Sequence, residues 1–454
     1  MGKTSEKRII NANPTKDFFI SMLVRDISIN DAIGDLLDNC MDGAKRLRGS
    51  GEDKRYDGLF IKIEAKPDKF TIEDNCGGIP IETAENYAFR FGRPKDMART
   101  EWSIGQFGIG MKRALFKLGN NFKVTSYTTN DAFEMGQDIN QWKDNEKWEF
   151  EFDKATFDTI EEKNTGTIIE VTELRKEIVD SFSDANFIKT LKSEIELENL
   201  YNIQRGIEVH FNGVKLKTNQ LNVKISDEFS LAEWRKEFKD ENENDIIKIR
   251  LEVGIGEPDS KMGGWYIFCN GRLIIAHDQT DLTGWGDGVA HFHGQYNRFR
   301  GFAYFEAIDS SKLPWDTTKT RMNRDSEIFK AVRAKMIEMM KPFRTFANKL
   351  KQENESDFEG EKVLHQKLEE AKTVNLSLEK SEYVASRTTK KFEYPEPSKP
   401  KPVGLGKGKI IFMANKDHIK KMKQFFNVDK QNDAGEKAFE YVYKTEIKDN
   451  PDYE

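Results

Sequence analysis

The sequence predicts a mixed α/β fold, and three observations support this. Residues 29–48 predict a helix, because apolar side chains recur at the spacing of one helical face: Ile33, Leu36, Leu37, Cys40 and Ala44. Residues 59–64 and 69–72 predict a β-hairpin around a Pro-Asp turn. Beyond them, strands expected at 122–127, 148–152 and 166–171 alternate with helices expected near 82–91 and 107–118.

The remaining sequence predicts a second, smaller α/β domain and a short tail. A helical stretch at 184–203 precedes the boundary that we expect just before Gly206, and strands at 264–272 and 300–305 then precede a helix over about 325–352. The predicted divisions are 1–204, 205–352, a charged helical segment with a Pro/Lys-rich linker at 353–409, and a helical tail at 410–454.

Composition narrows the class of protein. Charged residues are 33% of the 454 positions and hydrophobic ones 37%, which with 32 Phe and 7 Trp is enough for packed cores. The net charge of −6 argues against non-specific nucleic-acid binding by the whole chain, although a local basic face stays open.

The sequence also indicates a compartment. It has no apolar run of the length that a membrane span needs and no apolar run behind its first basic residues, so we expect neither secretion nor membrane insertion. Cys40, Cys76 and Cys269 stand at no metal-ligand or redox spacing and fit a reducing compartment. We therefore expect a cytoplasmic protein.

A polar stripe lies opposite the apolar face of the first helix. Asp35, Asn39, Asp42 and Arg46 follow i, i+4, i+7, i+11 spacing and so share one side of the helix. Such a stripe can face a ligand, and an ordinary solvated helix surface is the alternative.

A second polar motif follows the predicted hairpin. Asp74 ends a strand and precedes Gly77, Gly78 and Ile79, so a carboxylate stands next to glycines that let the backbone approach a flat ring. A carboxylate there can accept a hydrogen bond from an exocyclic amine. The alternative is a plain β-turn, which the same residue types favour.

The third motif is the glycine-rich segment, residues 103–113. Its backbone amides and the following helix N-terminus are suited to phosphate. It is not a P-loop, since no Gly-Lys-Ser/Thr follows, and tight helix packing is the alternative role for its glycines. The candidate ligand-contacting residues of this segment are Gly105, Gln106, Phe107, Gly108, Ile109, Gly110, Met111 and Lys112.

In this order, with Gly166 and Thr167 on a later strand, the motifs resemble the ATP site of the gyrase, heat-shock chaperone, histidine kinase and MutL (GHKL) superfamily. Residues 105–110 look like the glycine lid of the heat-shock chaperones, and Asp35 to Asn39 look like the N-box. The amino-acid sequence of residues 31–39 and the predicted order of domains are most similar to those of bacterial MORC-like ATP-binding proteins. The fold implied is a Bergerat-type α/β sandwich followed by a transducer-like (S5-like) domain.

The resemblance implies ATP and Mg²⁺ as ligands. Asn39 would coordinate Mg²⁺, Asp74 would recognise the adenine amino group with support from Thr167, and the glycine lid with Lys112 would hold the phosphates. Magnesium prefers oxygen ligands and commonly needs one or two from the protein. Asp42, Gly78, Ile79 and Met111 complete the expected nucleotide contacts.

Two positions depart from the superfamily pattern. Asp35 stands where the general-base Glu is usual, so slow hydrolysis is expected. Asp38 is a weaker substitute on another face of the helix. Cys76 stands where the pattern has its first glycine, and Gly77 is the residue that can supply the flexibility.

A loop in the middle region supplies a further candidate. Residues 313–321 resemble the loop by which transducer domains direct a lysine to the terminal phosphate, and Lys319 is that lysine here. A point charge suits this task, and a surface Thr-Lys loop is the alternative. Residues 270–274 resemble a transducer strand, in which we expect Arg272 to be structural.

Other members of the superfamily fit less well. A sensor histidine kinase needs a phosphoacceptor histidine before the nucleotide motifs, yet His210 is the first histidine in the sequence. A type II topoisomerase subunit needs a cleavage domain for which the C-terminal residues are too few.

The resemblance therefore implies an ATPase of low turnover that closes as a homodimer when ATP binds, with residues 9–30 crossing to the partner. It also suggests a DNA clamp in genome maintenance or phage defence, with region 390–424 as an accessory contact and a possible effector protein. The rival hypothesis is a nucleotide-dependent switch that does not hydrolyse ATP and binds a protein partner.

Overall fold

The computed structural model describes residues 14–49, 55–92, 103–105, 108–217, 221–239, 246–316, 318–354, 361–375, 390–397, 410 and 412–448. Gln106 and Phe107 of the glycine-rich segment lie outside the described residues, as does the first part of the crossing segment expected at 9–30. The chain divides into two compact units, Met1–Ser398 and Lys399–Glu454.

The elements alternate along the chain as a mixed α/β protein. The helices are α1 Lys16–Arg25, α2 Ile29–Arg48, α3 Ile81–Thr83, α4 Gly110–Leu118, α5 Ile139–Asp144, α6 Lys176–Ser183, α7 Ala185–Glu198, α8 Leu200–Gln204, α9 Glu327–Gln352, α10 Val363–Glu370, α11 Lys416–Phe426 and α12 Gln431–Val442. The strands are β1 Phe60–Ala65, β2 Phe70–Asp74, β3 Gly119–Tyr127, β4 Ala132–Asp138, β5 Lys154–Thr156, β6 Gly166–Leu174, β7 Glu208–Phe211, β8 Val214–Lys215, β9 Asn222–Ile225, β10 Ala232–Lys239, β11 Ile246–Ile255, β12 Gly264–Cys269, β13 Arg272–Asp278, β14 Phe299–Ala307 and β15 Lys372–Asn375.

The first sheet positions the candidate site. Among the described residues it has the order β5-β4-β3-β6-β2-β1-β7-β8, and all its pairings are antiparallel except that of β1 with β7. Helix α2 contacts α4 and β2. Its apolar face is buried, as the spacing of Ile33, Leu36 and Leu37 predicts, and Ser28 caps its N-terminus by accepting a hydrogen bond from the Asp31 amide at 3.0 Å. The polar stripe of α2 lies away from this apolar face.

The second sheet has the order β10-β11-β14-β12-β13 within the described residues, and β12 pairs in parallel with β14. Helix α9 packs on β11 through a buried apolar face that includes Phe329, Met336 and Phe343. The tail unit contains α11 and α12, which pack against each other and present aromatic side chains such as Phe425 and Tyr441 to solvent. The predicted α/β fold class is therefore confirmed, and the helical tail is confirmed as well.

Three details differ from the sequence predictions. Residues 148–152 form no strand, because Trp148 and Phe150 pack around Trp142 with ring centroids 5.4 Å and 5.3 Å away, and the nearby strand is β5. The single strand expected at 264–272 is the pair β12 and β13 with a turn between them. The helix expected near 82–91 is α3 followed by a π-helical turn at Ala84–Ala88.

The boundary expected before Gly206 does not coincide with the edge of the first sheet. Strand β7 pairs in parallel with β1, with Ile61 opposite Val209, and β8 extends the same edge. The alternating apolar residues Val209 and Phe211 are buried in the first sheet's core. The first sheet therefore includes residues up to Lys215.

Candidate nucleotide-binding site

A cavity of about 490 Å³ opens between α2, the end of β2, the glycine-rich segment and β6. This volume lies within the range of about 300–1,000 Å³ that is usual for small-molecule sites. Every described residue of the predicted site lines it: Asp35, Asn39, Asp42, Asp74, Gly78, Ile79, Gly105, Gly108, Ile109, Gly110, Met111, Lys112, Thr167 and Lys319. Cys40, Cys76 and Arg113 are among the lining residues that the sequence did not single out as ligands.

Asn39 is the candidate magnesium ligand, and its side chain has unused bonding capacity. The amide nitrogen is buried and has no hydrogen-bond partner among the described residues. A buried donor without a partner is costly, so this nitrogen is suited to an acceptor oxygen of a ligand in the cavity, whereas a metal ion would bind the amide oxygen. The described residues contain no cluster of three or more His, Cys, Asp or Glu that could hold a metal ion. An amide oxygen acting together with phosphate oxygens fits Mg²⁺ chemistry.

Asp74 stands at the end of β2 and is 8% exposed. Its carboxylate accepts a hydrogen bond from the Cys76 amide at 2.7 Å and a further bond from the Thr167 amide. Burial raises the pKa of Asp74 to about 6, although these hydrogen bonds oppose the shift. The carboxylate is thus held in a fixed orientation on the cavity wall.

Glycines allow the backbone next to Asp74 to fold tightly. Gly78 has φ +71°, and a Cβ there would overlap the carbonyl oxygen of Tyr127. Gly166 has φ +153°, and a Cβ there would overlap the carbonyl of Asp74. Cys76 fits where the superfamily pattern has glycine because its buried side chain lies against Gly43 of α2. A larger residue than glycine at position 43 would collide with it.

Asp42 binds the chain's own backbone. Its carboxylate accepts hydrogen bonds from the Ile104 amide at 2.7 Å and from the Gly105 amide at 2.8 Å. The sequence predicted a nucleotide contact for Asp42; in this structure, its carboxylate oxygens hold the start of the glycine-rich segment against α2. The side chain still lines the cavity.

Lys112 is buried at 2% exposure, and its ammonium donates hydrogen bonds to the carbonyl oxygens of Ala88, at 2.8 Å, and Gly108. Burial lowers the pKa of Lys112 to about 7. The lysine predicted to hold phosphate therefore bonds to two backbone carbonyls at the cavity wall in this structure.

Asp35 is shared by two cations. Arg113 Nε donates to one carboxylate oxygen at 2.6 Å, and Lys319 Nζ donates to the other at 3.2 Å. Gly110 lies directly above this carboxylate, since a Cβ on it would come within 3.1 Å. Arg113 follows Lys112 in the sequence, and its pairing with Asp35 was not predicted, because a single basic residue after a glycine motif carries no signal of its partner.

Asp38, which the sequence identified only as a weak substitute for Asp35, belongs to the same buried network. It accepts from Lys319 Nζ at 2.7 Å and from Arg272 at 2.5 Å, and Arg272 also reaches Glu198 at 3.3 Å. Burial by itself would raise the pKa of Asp38, but the charges of Arg272 and Lys319 outweigh it and lower the pKa. Arg272, expected to be structural, connects α2 with α7.

Lys319 reaches the cavity from the loop that follows β14. Its backbone has φ +59°, and its amide donates to the Asp316 carbonyl at 3.1 Å, while Trp315 and Met322 bridge the base of the loop. The side chain is 6% exposed, which excludes the alternative of a solvated surface lysine. Burial lowers the pKa of Lys319, but Asp38 and Asp35 more than compensate, and the pKa is raised.

The family comparison agrees with this geometry. No curated protein matches the chain. Separately, no helix among the described residues is long and apolar enough to cross a bilayer. Residues 27–167 match the family described as histidine kinase-, DNA gyrase B- and HSP90-like ATPase, a range that includes α2, Asp74, the glycine-rich segment and Thr167. Residues 27–167 of this chain are therefore similar to the ATPase domains of the GHKL superfamily.

Proposed function

We propose that this chain hydrolyses ATP slowly with Mg²⁺, that Asp35 is the general base, and that Lys319 responds to the terminal phosphate. The main support for this proposal is the position of Lys319. This residue lies outside the matched range, yet it lines the cavity and donates hydrogen bonds to both Asp35 and Asp38. Among the described residues, Lys319 Nζ donates to these two carboxylates, and a phosphate that enters the cavity would compete with them for the lysine.

The other residues have binding roles in this proposal. Asn39 would hold Mg²⁺, which neutralises phosphate charge when bound. Asp74, with Thr167 beside it, accepts a hydrogen bond from the adenine amino group. The amides of the glycine-rich segment and Lys112 hold the phosphates, for which Lys112 exchanges its carbonyl partners for phosphate oxygens.

Hydrolysis then depends on a change at Asp35. Arg113 and Lys319 each donate to one of the two carboxylate oxygens of Asp35, so both oxygens are engaged before an attacking water can bind to either. Transfer of Lys319 to the terminal phosphate frees one oxygen of Asp35, which can then accept a proton from the attacking water. Binding and the start of chemistry are coupled by this one lysine.

The test compares Asp35→Asn with wild-type protein in ATP turnover, with ATP binding measured separately. We expect the variant to lose turnover and retain binding, because the amide keeps the size of the side chain and cannot take up a proton. Asp31→Asn on the same helix is the matched control, since Asp31 does not line the cavity, and it should keep both properties. Wild-type protein that binds no ATP would overturn the proposal.

A second candidate function is a nucleotide-dependent switch that does not hydrolyse ATP and binds a protein partner. Two observations favour it. Both oxygens of the Asp35 carboxylate accept hydrogen bonds from cations. In addition, Asp is one methylene shorter than the Glu that is usual at this position, so its carboxylate reaches less far toward water. ATP binding without turnover in both wild-type protein and Asp35→Asn would select this candidate.

We infer further that ATP gates self-association, as the similarity to MORC-like proteins suggests. Helix α1 supports this, because it presents Phe18 and Met22 to solvent, 58% and 52% exposed, one turn apart. A mass measurement with and without a non-hydrolysable ATP analogue tests it, and a Phe18→Ser and Met22→Ser double variant should stay monomeric. A monomer in both nucleotide states would contradict the inference.

A DNA clamp, in genome maintenance or phage defence, is the extension of this proposal that concerns nucleic acid. Its support is the set of solvent-accessible lysines on α11, among them Lys416, Lys420 and Lys423. A gel shift on duplex DNA, repeated at rising salt, tests it: ATP-dependent binding that weakens with salt is expected. If no shift occurs at low salt, an effector protein becomes the favoured partner.

A further inference from the structure

We propose that Asn270 is a positioning residue that ties the start of the glycine-rich segment to the second sheet and thereby sets how long nucleotide is retained. This inference rests on the proposed nucleotide binding and assigns part of its control to a residue outside the cavity. Asn270 belongs to the turn between β12 and β13, well beyond the residues that match the ATPase family.

The side chain of Asn270 is bonded at both ends. It is 5% exposed, and its Oδ1 accepts from the Ala307 amide at 2.9 Å. Its Nδ2 donates to the Ala307 carbonyl at 3.0 Å and to the Ser103 carbonyl at 3.1 Å. The amide thus joins β14 to the first described residue of the glycine-rich segment.

The backbone of Asn270 closes a ring of bonds with α2. Lys45 Nζ donates to the Asn270 carbonyl at 2.9 Å and lies 4.0 Å from Asp42 Oδ1. Asp42 in turn accepts from the amides of Ile104 and Gly105. The peptide at 103–105 is therefore held from two sides, by Asp42 through its amides and by Asn270 through a carbonyl.

A second Asn-Gly turn in the same chain, at Asn212, shows which hydrogen bond of Asn270 is not part of the turn itself. Asn212 also has a left-handed backbone, φ +48° against +46° for Asn270. It also bonds one residue on a neighbouring strand, accepting from the Ala65 amide at 2.8 Å and donating to the Ala65 carbonyl at 3.3 Å. The two side chains make the same pair of turn bonds. The bond to Ser103 is the additional one at Asn270.

The position of that bond connects it to nucleotide retention. Ser103 and Gly105 both line the cavity, so the peptide at 103–105 forms part of the wall against which a bound nucleotide would lie. A buried hydrogen bond that holds this peptide in place restrains its movement and would slow the release of a nucleotide that lies against it. Loss of the bond removes the restraint from the second sheet and leaves the one from Asp42.

Asn270→Asp and Asn212→Asp form the matched pair that tests this. In each variant, a carboxylate oxygen replaces the Nδ2 donor and faces a carbonyl, so the turn bond from Nδ2 is lost in both. We expect fluorescent ATP to dissociate about tenfold faster from Asn270→Asp, the effect of losing one buried hydrogen bond, and at the wild-type rate from Asn212→Asp. Amide exchange at Ile104 and Gly105 should rise in the first variant alone, with or without nucleotide.

Glycine variants cover the case in which a buried aspartate prevents folding. Asn270→Gly and Asn212→Gly both keep the left-handed backbone and remove the side chain, so the same contrast is expected. Equal dissociation rates and equal amide exchange in the two members of a pair would overturn the role of Asn270. Wild-type protein that retains no nucleotide would overturn the proposed function as well. The wild-type measurement alone therefore distinguishes failure of the proposed function from failure of the role of Asn270.

Discussion

Lys319 and Asp38 are joined by a 2.7 Å hydrogen bond across 281 positions of the sequence. This contact, with the one from Lys319 to Asp35, places a charge from the loop after β14 inside a cavity built by residues 35–167. The residues that match the ATPase family, 27–167, are therefore not the whole of the candidate site. Anything that moves the loop also changes the charges that face Asp35.

Replacing Lys319 with Met should lower the affinity for ATP but not the affinity for ADP. It should also reduce the rate of ATP turnover. The protein is expected to fold, because Asp35 keeps Arg113 and Asp38 keeps Arg272. We expect the turnover number to fall about 100-fold, the usual effect of losing one charge-stabilising group, with ADP affinity almost unchanged. Steady-state kinetics and calorimetry measure this, with the exposed Lys330→Met as the control. A variant that hydrolyses ATP at the wild-type rate would exclude Lys319 from the reaction.

Adenosine affinity should fall as the pH falls through about 6. Burial raises the pKa of Asp74 to about 6, so the carboxylate that we propose as the acceptor for the adenine amino group becomes neutral below that value. The expected loss is about tenfold for each pH unit below the pKa. Adenosine is the probe because it has no phosphates to titrate. Asp74→Asn should bind adenosine weakly and without this pH dependence. If the variant showed the same pH profile as the wild-type protein, Asp74 would not contact the base.

Glu198 should make the protein less stable as the pH rises toward neutrality. Burial raises the pKa of Glu198 from 4.5 to about 7 in spite of Arg272, so the folded protein holds a proton that the unfolded chain has already released. The contribution to the free energy of unfolding is complete below about 4.5 and is lost as the pH rises through about 7. Glu198→Gln should flatten this part of the curve in chemical denaturation, and Arg272 stays paired with Asp38. Parallel curves for both proteins would contradict the expectation.

Gly78→Ala should destabilise the protein far more than Gly213→Ala. Both glycines have left-handed backbones, with φ +71° and +78°, so both variants lose about 1–2 kcal/mol to backbone strain. A Cβ at position 78 also overlaps the Tyr127 carbonyl, whereas nothing lies within 4 Å of one at position 213. We expect at least twice the loss for Gly78→Ala in thermal unfolding. Equal losses would show that the strand end is free to move away from Tyr127.

The local motifs were predictable, and their partners were not. Asn39, Asp74 and Gly110 belong to short motifs in which residue type and spacing carry the signal, and all three line the cavity. Arg113, Arg272 and Asn270 act through residues that are far away in the sequence, so no spacing predicts them. Residues 148–152 alternate aromatic and acidic side chains as a strand would, yet the aromatic ones pack around Trp142 instead. Tertiary packing overrides a local pattern in such cases.

The parallel pairing of β7 with β1 decides how the ATPase domain can be cut from the chain. A fragment that ends at residue 204 would lack β7 and β8 and would expose the backbone hydrogen-bonding groups of β1, a row of donors and acceptors that favours aggregation. A fragment that ends after Lys215 would keep that edge covered but would still lack Asn270, Arg272 and Lys319. Activity measured on either fragment would describe a cavity without Lys319, whose neighbouring residues also lack their bonds to Asn270 and Arg272. Poor solubility of the shorter fragment would say nothing about ATP.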